Sequence, residues 1–414
     1  MQKKSLLIIG FVWVEPNSSA AGNRLLQLIE LFLKHLFTIT FACAAKKSDN
    51  AFALQKLGIQ EVEILLNDAS FDAFITNLAP DFVLFDRFVT EEQFGWRVLE
   101  YCPKAMTILD TEDLHCLRKT REICLKNNID FSFDQLKKQD ITKREIAAIL
   151  RCDLSLIIST FEMDLLQSVF KMDKKNLFYL PFLFDKIEQH QQQVTWKTFA
   201  QRNHFIFVGN FLHKPNVDAV ITLKNEIWSK IREYLPEAEI HIYGAYVTQQ
   251  IQQLHNKKEG FIIKGFAENA KEVVANAKVV LAPLRFGAGI KGKLTEAMLC
   301  GTPSITTTIG AEGMCQNFPW NGFVINDFSD FALNASLLYK NKSLWENAQL
   351  AGKEIINYVY DKEKFEKPFI DKILEIQENI EQLRNENFLG SLLQYQTLQS
   401  TKYLSKWIEE KSKN

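Results

Sequence analysis

Two doubly wound α/β domains facing a cleft, followed by a helical extension, are the fold this sequence predicts. Three observations carry the expectation. Short, β-branched apolar runs alternate with helical stretches along most of the chain, the alternation pauses at a polar segment after Pro181, and the last portion is helical and poor in glycine. At 414 residues the chain is too long for one core and suits two domains of ordinary size.

The first domain is expected over residues 1–185. Residues 6–14 form a short apolar run that breaks at Glu15-Pro16 and leads straight into a helical pattern, which predicts a buried parallel strand. The same run, preceded by Lys3 and Lys4 and followed by small residues, also has the outline of a signal peptide. No later run approaches the ~18 apolar residues of a membrane span. From Ala20 to Leu36 apolar residues recur on one helical face, and residues 37–42 read as a second strand, completing a βαβ unit. Residues 61–66, 81–85, 105–109 and 153–158 continue the series between charged helical segments.

A connector is expected at 186–202, where residues 188–193 are polar and without periodicity. The second domain, 203–360, repeats the alternation with strands at 205–208, 238–243, 261–263, 278–282 and 303–308. Helices are expected near 217–234, 270–276 and 292–300. Ligands of such sheets sit at the carboxyl ends of the strands. Residues 361–414 balance acidic and basic side chains and read as a solvated helical extension, the first helix returning to the first domain.

Lysine and arginine total 49 against 50 aspartates and glutamates, so the net charge of −1 supplies no field to hold nucleic acid. Residues 104–151 are mildly basic, which leaves a peripheral membrane contact as an expectation for a lipid-linked substrate. The seven cysteines are scattered, odd in number and never spaced C-x-x-C. They point to reduced thiols in the cytoplasm rather than to disulfides or a zinc site.

The sharpest chemistry lies at residues 282–298, Ala-Pro-Leu-Arg-Phe-Gly-Ala-Gly-Ile-Lys-Gly-Lys-Leu-Thr-Glu-Ala-Met: a strand end, a glycine-rich turn and a helix start. Gly287 and Gly289 let the backbone come close to a ligand, and the helix N-terminus offers unpaired N–H groups with a partial positive charge. Together they make an anion site suited to a diphosphate. Arg285, Lys291 and Lys293 add positive charge, and Glu296 stands where a carboxylate accepts two vicinal sugar hydroxyls. In the first domain Asp110-Thr-Glu-Asp-Leu-His115 follows a strand end, which fits His115 with Asp113 as an active-site pair. His241 alternates within a strand and reads as structural; His204 and His213 have weaker claims. No D-x-D sequence occurs, and no metal is expected.

In combination these segments resemble glycosyltransferase family 4, the group 1 retaining enzymes of the GT-B fold. Phe207-Val-Gly-Asn210 with Lys214-Pro-Asn-Val-Asp-Ala219, His241-Ile-Tyr-Gly244, Lys264-Gly-Phe266, Ala282-Pro-Leu-Arg285, Glu296-Ala-Met298 with Gly301-Thr-Pro303, and Gly310-Ala-Glu-Gly313 come in the family's order. In the first domain the resemblance rests on Pro16-Asn-Ser-Ser-Ala-Ala-Gly22 with Arg24, on Asp110 to His115 with Arg118, and on Asn176-Leu-Phe-Tyr-Leu-Pro181. It spans residues 6–378 and implies that the first domain, with the acidic segment Asp110 to His115, binds mostly the acceptor and the second domain the nucleotide sugar.

The resemblance implies transfer of a hexosyl group from a nucleoside-diphosphate sugar to a glycan, lipid-linked or protein acceptor in polysaccharide or glycoconjugate biosynthesis. It implies retention at the anomeric carbon and no metal or cofactor beyond the donor itself. It places donor contacts at Gly22, Gly209, Asn210, Lys214, Gly244, Gly265, Phe266, Gly287, Ala288, Gly289, Ile290, Lys291 and Glu296, and catalytic roles at His115, Asp113, Lys293 and Arg285. Two positions depart from the family's pattern. Ala288 stands where the first glutamate of E-x7-E belongs, and Asn210 where many members carry an arginine for the diphosphate. Two rival readings share the architecture: a sugar-nucleotide epimerase acting without an acceptor, and a non-catalytic nucleotide-sugar-binding partner of a true transferase.

Overall fold

The computed structural model describes residues 4–190 and 196–412; the part of the expected connector at 191–195 lies outside them. Among the described residues, the first lobe is built on a parallel seven-stranded sheet in the order β3-β2-β1-β4-β5-β6-β7. Its strands are β1 Ser5–Gly10, β2 Thr38–Cys43, β3 Gln60–Glu63, β4 Phe82–Asp86, β5 Met106–Asp110, β6 Leu154–Ile157 and β7 Leu177–Tyr179. The helices between them are α1 Ala20–Lys34, α2 Ser70–Leu78, α3 Phe88–Tyr101, α4 His115–Lys126, α5 Phe133–Lys138, α6 Asp140–Arg151 and α7 Thr160–Ser168.

The apolar run at the start of the chain is therefore a central strand, with β2 on one side and β4 on the other. It ends at Gly10, short of the expected Val14, because the Phe11 N–H leaves the ladder and donates to Asp86 Oδ2 at 3.0 Å. Alternate residues face opposite cores. Leu6, Ile8, Leu84 and Ile108 pack under α1, whereas Leu7, Ile9, Val83 and Leu109 pack against the helices of the other face. Burying such a side chain contributes ~1.5–3 kcal/mol, which fixes the register. The strand order reverses direction between β1 and β4, the place where open α/β sheets bind ligands.

The second lobe holds a parallel six-stranded sheet in the order β10-β9-β8-β11-β12-β13. Its strands are β8 Asn203–Val208, β9 Ile240–Tyr243, β10 Phe261–Gly265, β11 Ala277–Ala282, β12 Ser304–Thr306 and β13 Gly322–Val324. Its helices are α8 Lys214–Thr222, continued through a π turn into α9 Trp228–Tyr234, then α10 Gln249–Gln252, α11 Ala270–Asn276, α12 Gly292–Leu299, α13 Thr308–Ala311, α14 Phe328–Lys340 and α15 Lys342–Val359. The edge strands β7 and β13 were not expected. Each is three residues long, too short to present a pattern, and exists through pairing with its neighbour.

After α15 the chain crosses back. Helix α16, Glu366–Glu378, places Phe369, Ile370, Ile373 and Ile376 in the first-lobe core. At the crossing Phe184 donates its N–H to Tyr360 O at 2.9 Å and accepts the Lys362 N–H at 2.9 Å, so the two passages between lobes run side by side. Helices α17 Ile380–Glu386 and α18 Phe388–Lys411 follow. The extension is docked, not merely solvated. Gly390 of α18 lies so close to the Leu150 carbonyl that a Cβ would stand 2.2 Å from it, and Arg97 pairs with Glu409 and Asp72. Gly390 is small, and Asn387, Gln394 and Ser405 hold by hydrogen bonds with Leu150 O, Arg151 O and Arg97, so no apolar stripe announces the contact. Among the described residues no helix is long and apolar enough to cross a membrane.

Candidate active site

The glycine-rich turn links β11 to α12. Lys291 occupies the N-cap of α12 without a side-chain cap, and the first turn holds no acidic residue, so its N–H groups keep an uncompensated partial positive charge. Gly289 has φ 61°, and a Cβ on it would lie 2.7 Å from Cβ of Asp113 in the other lobe. Lys291 folds back on its own turn, Nζ donating to Gly289 O at 2.7 Å. Lys293 Nζ donates to Asn216 Oδ1 at 2.6 Å and lies 5.1 Å from the centre of the Phe207 ring. Burial, with Lys291 adding repulsion and Glu296 opposing it, lowers the Lys293 ammonium to about 8. Burial likewise raises Glu296 to about 7 against the pull of Lys271 and Lys293.

The carboxyl ends of β8, β9 and β10 bring the other expected donor residues alongside. A Cβ on Gly244 would stand 1.9 Å from the Gly209 carbonyl, so these strand ends meet only as glycines. Asn210 is turned into its own loop: its Oδ1 accepts the Leu212 N–H at 2.8 Å and its carbonyl accepts Asn216 Nδ2 at 2.8 Å. Asn216 therefore ties that loop to Lys293. Gly265, at φ 82°, has open space where a side chain would be, and the neighbouring Phe266 is exposed. Ile290 is buried in the second-lobe core, and Ala288 packs against the first lobe. Two cations expected on the diphosphate are engaged elsewhere. Arg285 forks onto Asp218 of α8, with Nε to Oδ2 at 2.9 Å, and Lys214 reaches Glu122 of α4 at 3.3 Å. Each is a long side chain that finds a carboxylate on a neighbouring helix, a contact distant in sequence and invisible in the motif.

On the first-lobe side Asp113 Oδ2 accepts Arg118 Nε at 2.7 Å, and Asp113 Oδ1 lies 3.3 Å from His115 Nε2. Burial opposes the charge on Asp113, but Arg118 and His115 together hold it below the usual carboxylate range. Burial pushes His115 down to about 3, so its imidazole is neutral, with Phe88 edge-on at 5.5 Å. His213, at the N-cap of α8, belongs to the same place. Burial lowers it to about 3, and the charges acting on it are those of Arg118, Asp113, Lys293 and His115, drawn from both lobes.

Two further groups join the lobes here and carry no sequence motif. Glu162 of α7 is fully buried; its Oε1 accepts the N–H of Leu114 at 2.9 Å and of Gly289 at 2.9 Å, while Oε2 accepts Ser159 Oγ at 3.1 Å. Arg121 of α4 forks onto Glu312 at 2.8 and 2.7 Å and donates to Gly287 O at 2.9 Å. Glu312 was visible only as part of Gly310-Ala-Glu-Gly313; its partner is 191 residues away. At the start of α1, a Cβ on Gly22 would lie 2.3 Å from Glu15 O, and one on Gly292 would lie 2.5 Å from Ala20 Cβ. The N-termini of α1 and α12 thus meet across the cleft. Among the described residues no three metal-ligating side chains cluster.

Residues 202–341, the second sheet with α14, match the family described as glycosyl transferases group 1. The chain also superposes along 90% of its length on 99% of sucrose-phosphate synthase from Thermosynechococcus elongatus, with a TM-score of 0.64 at 13% identity. It has the GT-B fold. TarM is a second GT-B match, with a TM-score of 0.66 at 11% identity over 90% of this chain and 99% of that one. HepE of Anabaena, solved with UDP and glucose, gives 0.62 at 14% identity over 89% and 98%. An uncharacterized protein of the Klebsiella pneumoniae cps region is 23% identical over 191 residues; the chain spans 46% of that relative, which spans 44% of this chain. Within this GT-B chain the glycine-rich turn lies inside the segment similar to the group 1 enzymes, and the His115 loop lies outside it.

Proposed function

We propose that the chain is a retaining glycosyltransferase, moving a hexosyl group from a nucleoside-diphosphate sugar to an acceptor hydroxyl without a metal ion. The observation that carries this reading is the pairing of an uncapped α12 N-terminus with Lys291 and Lys293 at the seam between the lobes. In this reading the diphosphate lies on the turn from Gly287 to Lys293. As the bond between the anomeric carbon and the phosphate oxygen breaks, negative charge grows on the leaving diphosphate. The Lys293 ammonium and the first N–H groups of α12 stabilise it as it grows. That ammonium is costly to hold in the free protein, where burial lowers its pKa, and an incoming anion relieves the cost.

Glu296, on the second turn of α12, accepts the ribose hydroxyls when ionised. The neutral His115 offers one ring nitrogen to a sugar hydroxyl, and Asp113, fixed by Arg118, orients it. The acceptor oxygen attacks the face the diphosphate leaves, and its proton passes to the departing phosphate oxygen, which retains configuration. Solved complexes of HepE with UDP and glucose, and of pneumococcal GtfA with UDP and GlcNAc, support a nucleoside-diphosphate donor for a chain of this fold. The acceptor is a glycan, lipid-linked or protein hydroxyl in glycoconjugate biosynthesis, and the seven free thiols support a reducing, cytoplasmic setting.

The test is diphosphate release from a panel of nucleotide sugars, with and without acceptors, followed by NMR of the product's anomeric centre. Acceptor-dependent release with retained configuration is the expected result. Release of free or epimerised sugar without an acceptor would establish the epimerase instead, and tight nucleotide binding with no turnover on any acceptor would establish the non-catalytic partner.

A further inference from the structure

Helix α18 is amphipathic in the reverse of the usual sense. The residues that hold it to the first lobe are small or polar: Gly390 lies against the Leu150 carbonyl, Gln394 donates to Arg151 O at 2.7 Å, and Ser405 accepts Arg97 Nη2 at 3.2 Å. Its outer side carries the bulk. Phe388, Tyr395, Tyr403 and Trp407 are 55–70% exposed, and Leu389, Leu392 and Leu404 lie open beside them. From Phe388 to Thr401 the helix holds no charged residue. The apolar side chains form a cluster at each end, joined by the exposed Gln396 and Ser400. A surface helix of a globular protein turns its apolar stripe inward, and an outward patch of this extent marks an interaction surface. At ~150–250 Å² for a whole aromatic side chain, the open part amounts to on the order of 800 Å², the area that one partner gives to a specific interface.

We propose that the outer side of α18 is the interface of a two-fold homodimer, packed antiparallel against the same helix of a second copy. The inference concerns assembly and stands apart from the transferase reading. Spacing supplies the first argument. Phe388, Leu392, Tyr395, Ser400, Tyr403 and Trp407 follow one another at steps of four, three, five, three and four residues, a series that reads the same from either end. A closed two-fold contact requires a patch that complements itself in this way. With the axis midway between Tyr395 and Ser400, Phe388 faces the partner's Trp407, Leu392 the partner's Tyr403, and Tyr395 the partner's Ser400. Large side chains then meet at both ends, and a large one meets a small one in the middle, so the two surfaces interdigitate. Charge supplies the second argument. A helix lying on anionic lipid is rich in lysine and arginine along its polar face. The polar side of α18 is sunk in protein instead, and Lys402, Lys406 and Lys411 are nearly balanced by Glu409 and Glu410. Lys402 is moreover held by Glu100, and Glu409 by Arg97. The supports of the helix, Arg97 of α3 with Leu150 and Arg151 of α6, all belong to the first lobe, so the pairing joins first lobe to first lobe.

The experiment is sedimentation equilibrium of the full chain over roughly 0.1–20 μM, beside flotation of the same protein with vesicles of phosphatidylglycerol and phosphatidylethanolamine. A reversible dimer is expected. Leu392→Glu and Tyr403→Lys should each weaken dimerisation by about tenfold or more. The double variant Leu392→Glu/Tyr403→Lys should recover it, because antiparallel pairing sets each glutamate against the partner's lysine, while within one helix the two positions are too far apart to pair. Both side chains are exposed, so circular dichroism and the melting temperature should stay at wild-type values and report that every variant is folded. A wild type that is monomeric throughout that range, a dimer indifferent to both single variants, or a dimer that the double variant fails to restore would overturn the antiparallel pair. If the monomeric wild type floats with the vesicles, the outer side of α18 belongs to a membrane surface instead.

Discussion

Glu162 of the first lobe accepts the backbone N–H of Gly289 in the second at 2.9 Å, on the same carboxylate oxygen that accepts the N–H of Leu114. One atom therefore ties the glycine-rich turn directly to the loop that carries Asp113 and His115, beside the Arg121 bond to Gly287 O. Burial raises this carboxyl to about 7 against the pull of those N–H groups, and hydrogen bonds to its ionised form contribute ~1.5–3 kcal/mol each. Glu162→Ala should leave both N–H groups unpaired and shift the lobes apart, lowering turnover ten- to a hundredfold, by about 1.4–2.7 kcal/mol. Small-angle scattering should report a larger radius of gyration with the helical signal intact. Unchanged scattering and turnover together would confine Glu162 to a role within its own lobe.

Lys293 enters the first turn of α12 and is held by Asn216. Only interactions stronger in the transition state raise the chemical rate, so Lys293→Ala should reduce turnover more than donor affinity, by ~10²–10³ or about 2.7–4 kcal/mol. Lys293→Arg should restore charge but not geometry, because a planar fork does not fit the place of a compact ammonium. Turnover of the alanine variant within about twofold of wild type would transfer the role to Lys291.

Two groups on α12 give the profile an acid and an alkaline limb, and Glu162 at about 7 and Lys291 at about 8 titrate in the same windows. Glu296 must be ionised to accept hydroxyls, which holds above about 7, and Lys293 must be protonated to meet the diphosphate, which holds below about 8. The profile of kcat/KM for the donor, which reports free-enzyme groups, should therefore rise through the first value and fall through the second. Glu296→Gln should remove its share of the acid limb, leave the share of Glu162, and weaken nucleotide binding by about 1.5–3 kcal/mol in calorimetry at neutral pH. An acid limb unchanged in that variant would assign it wholly to Glu162.

Activity should persist in excess chelator, because Lys293 and the helix N-terminus already place positive charge at the leaving group in the proposed reaction. The measurement is diphosphate release before and after EDTA dialysis. Loss that magnesium or manganese restores would replace this account with a metal-assisted one.

Much of the fold was legible because its signals are local. The strands β1, β2, β4 and β5 are mostly apolar, buried runs, and α11 lies at 270–276 as its pattern predicts, capped by Asn269. The strands β7 and β13, with three residues apiece, carry no period, and α18 docks through glycine and hydrogen bonds. The same division governs the site. Gly287, Gly289, Lys291 and Lys293 could be read from one short segment, whereas Glu162, Arg121 and His213 acquire their surroundings only when distant segments meet. Arg285 shows the converse: a cation beside the motif in sequence whose partner, Asp218, belongs to α8.

The paired crossing at Phe184 and Asp361 has a mechanical consequence. Phe184 is bonded both to Tyr360 O and to the Lys362 N–H, so the lobes are joined as a door is joined by two knuckles on one pin. A rotation about that line would keep both bonds, while twisting or sliding would break them. A rotation about that line would carry Gly289 away from Asp113 and Glu162 along an arc and back along the same one. A closing movement of that kind would seat the turn against the same two residues, without the search for alignment that two independently tethered bodies would face.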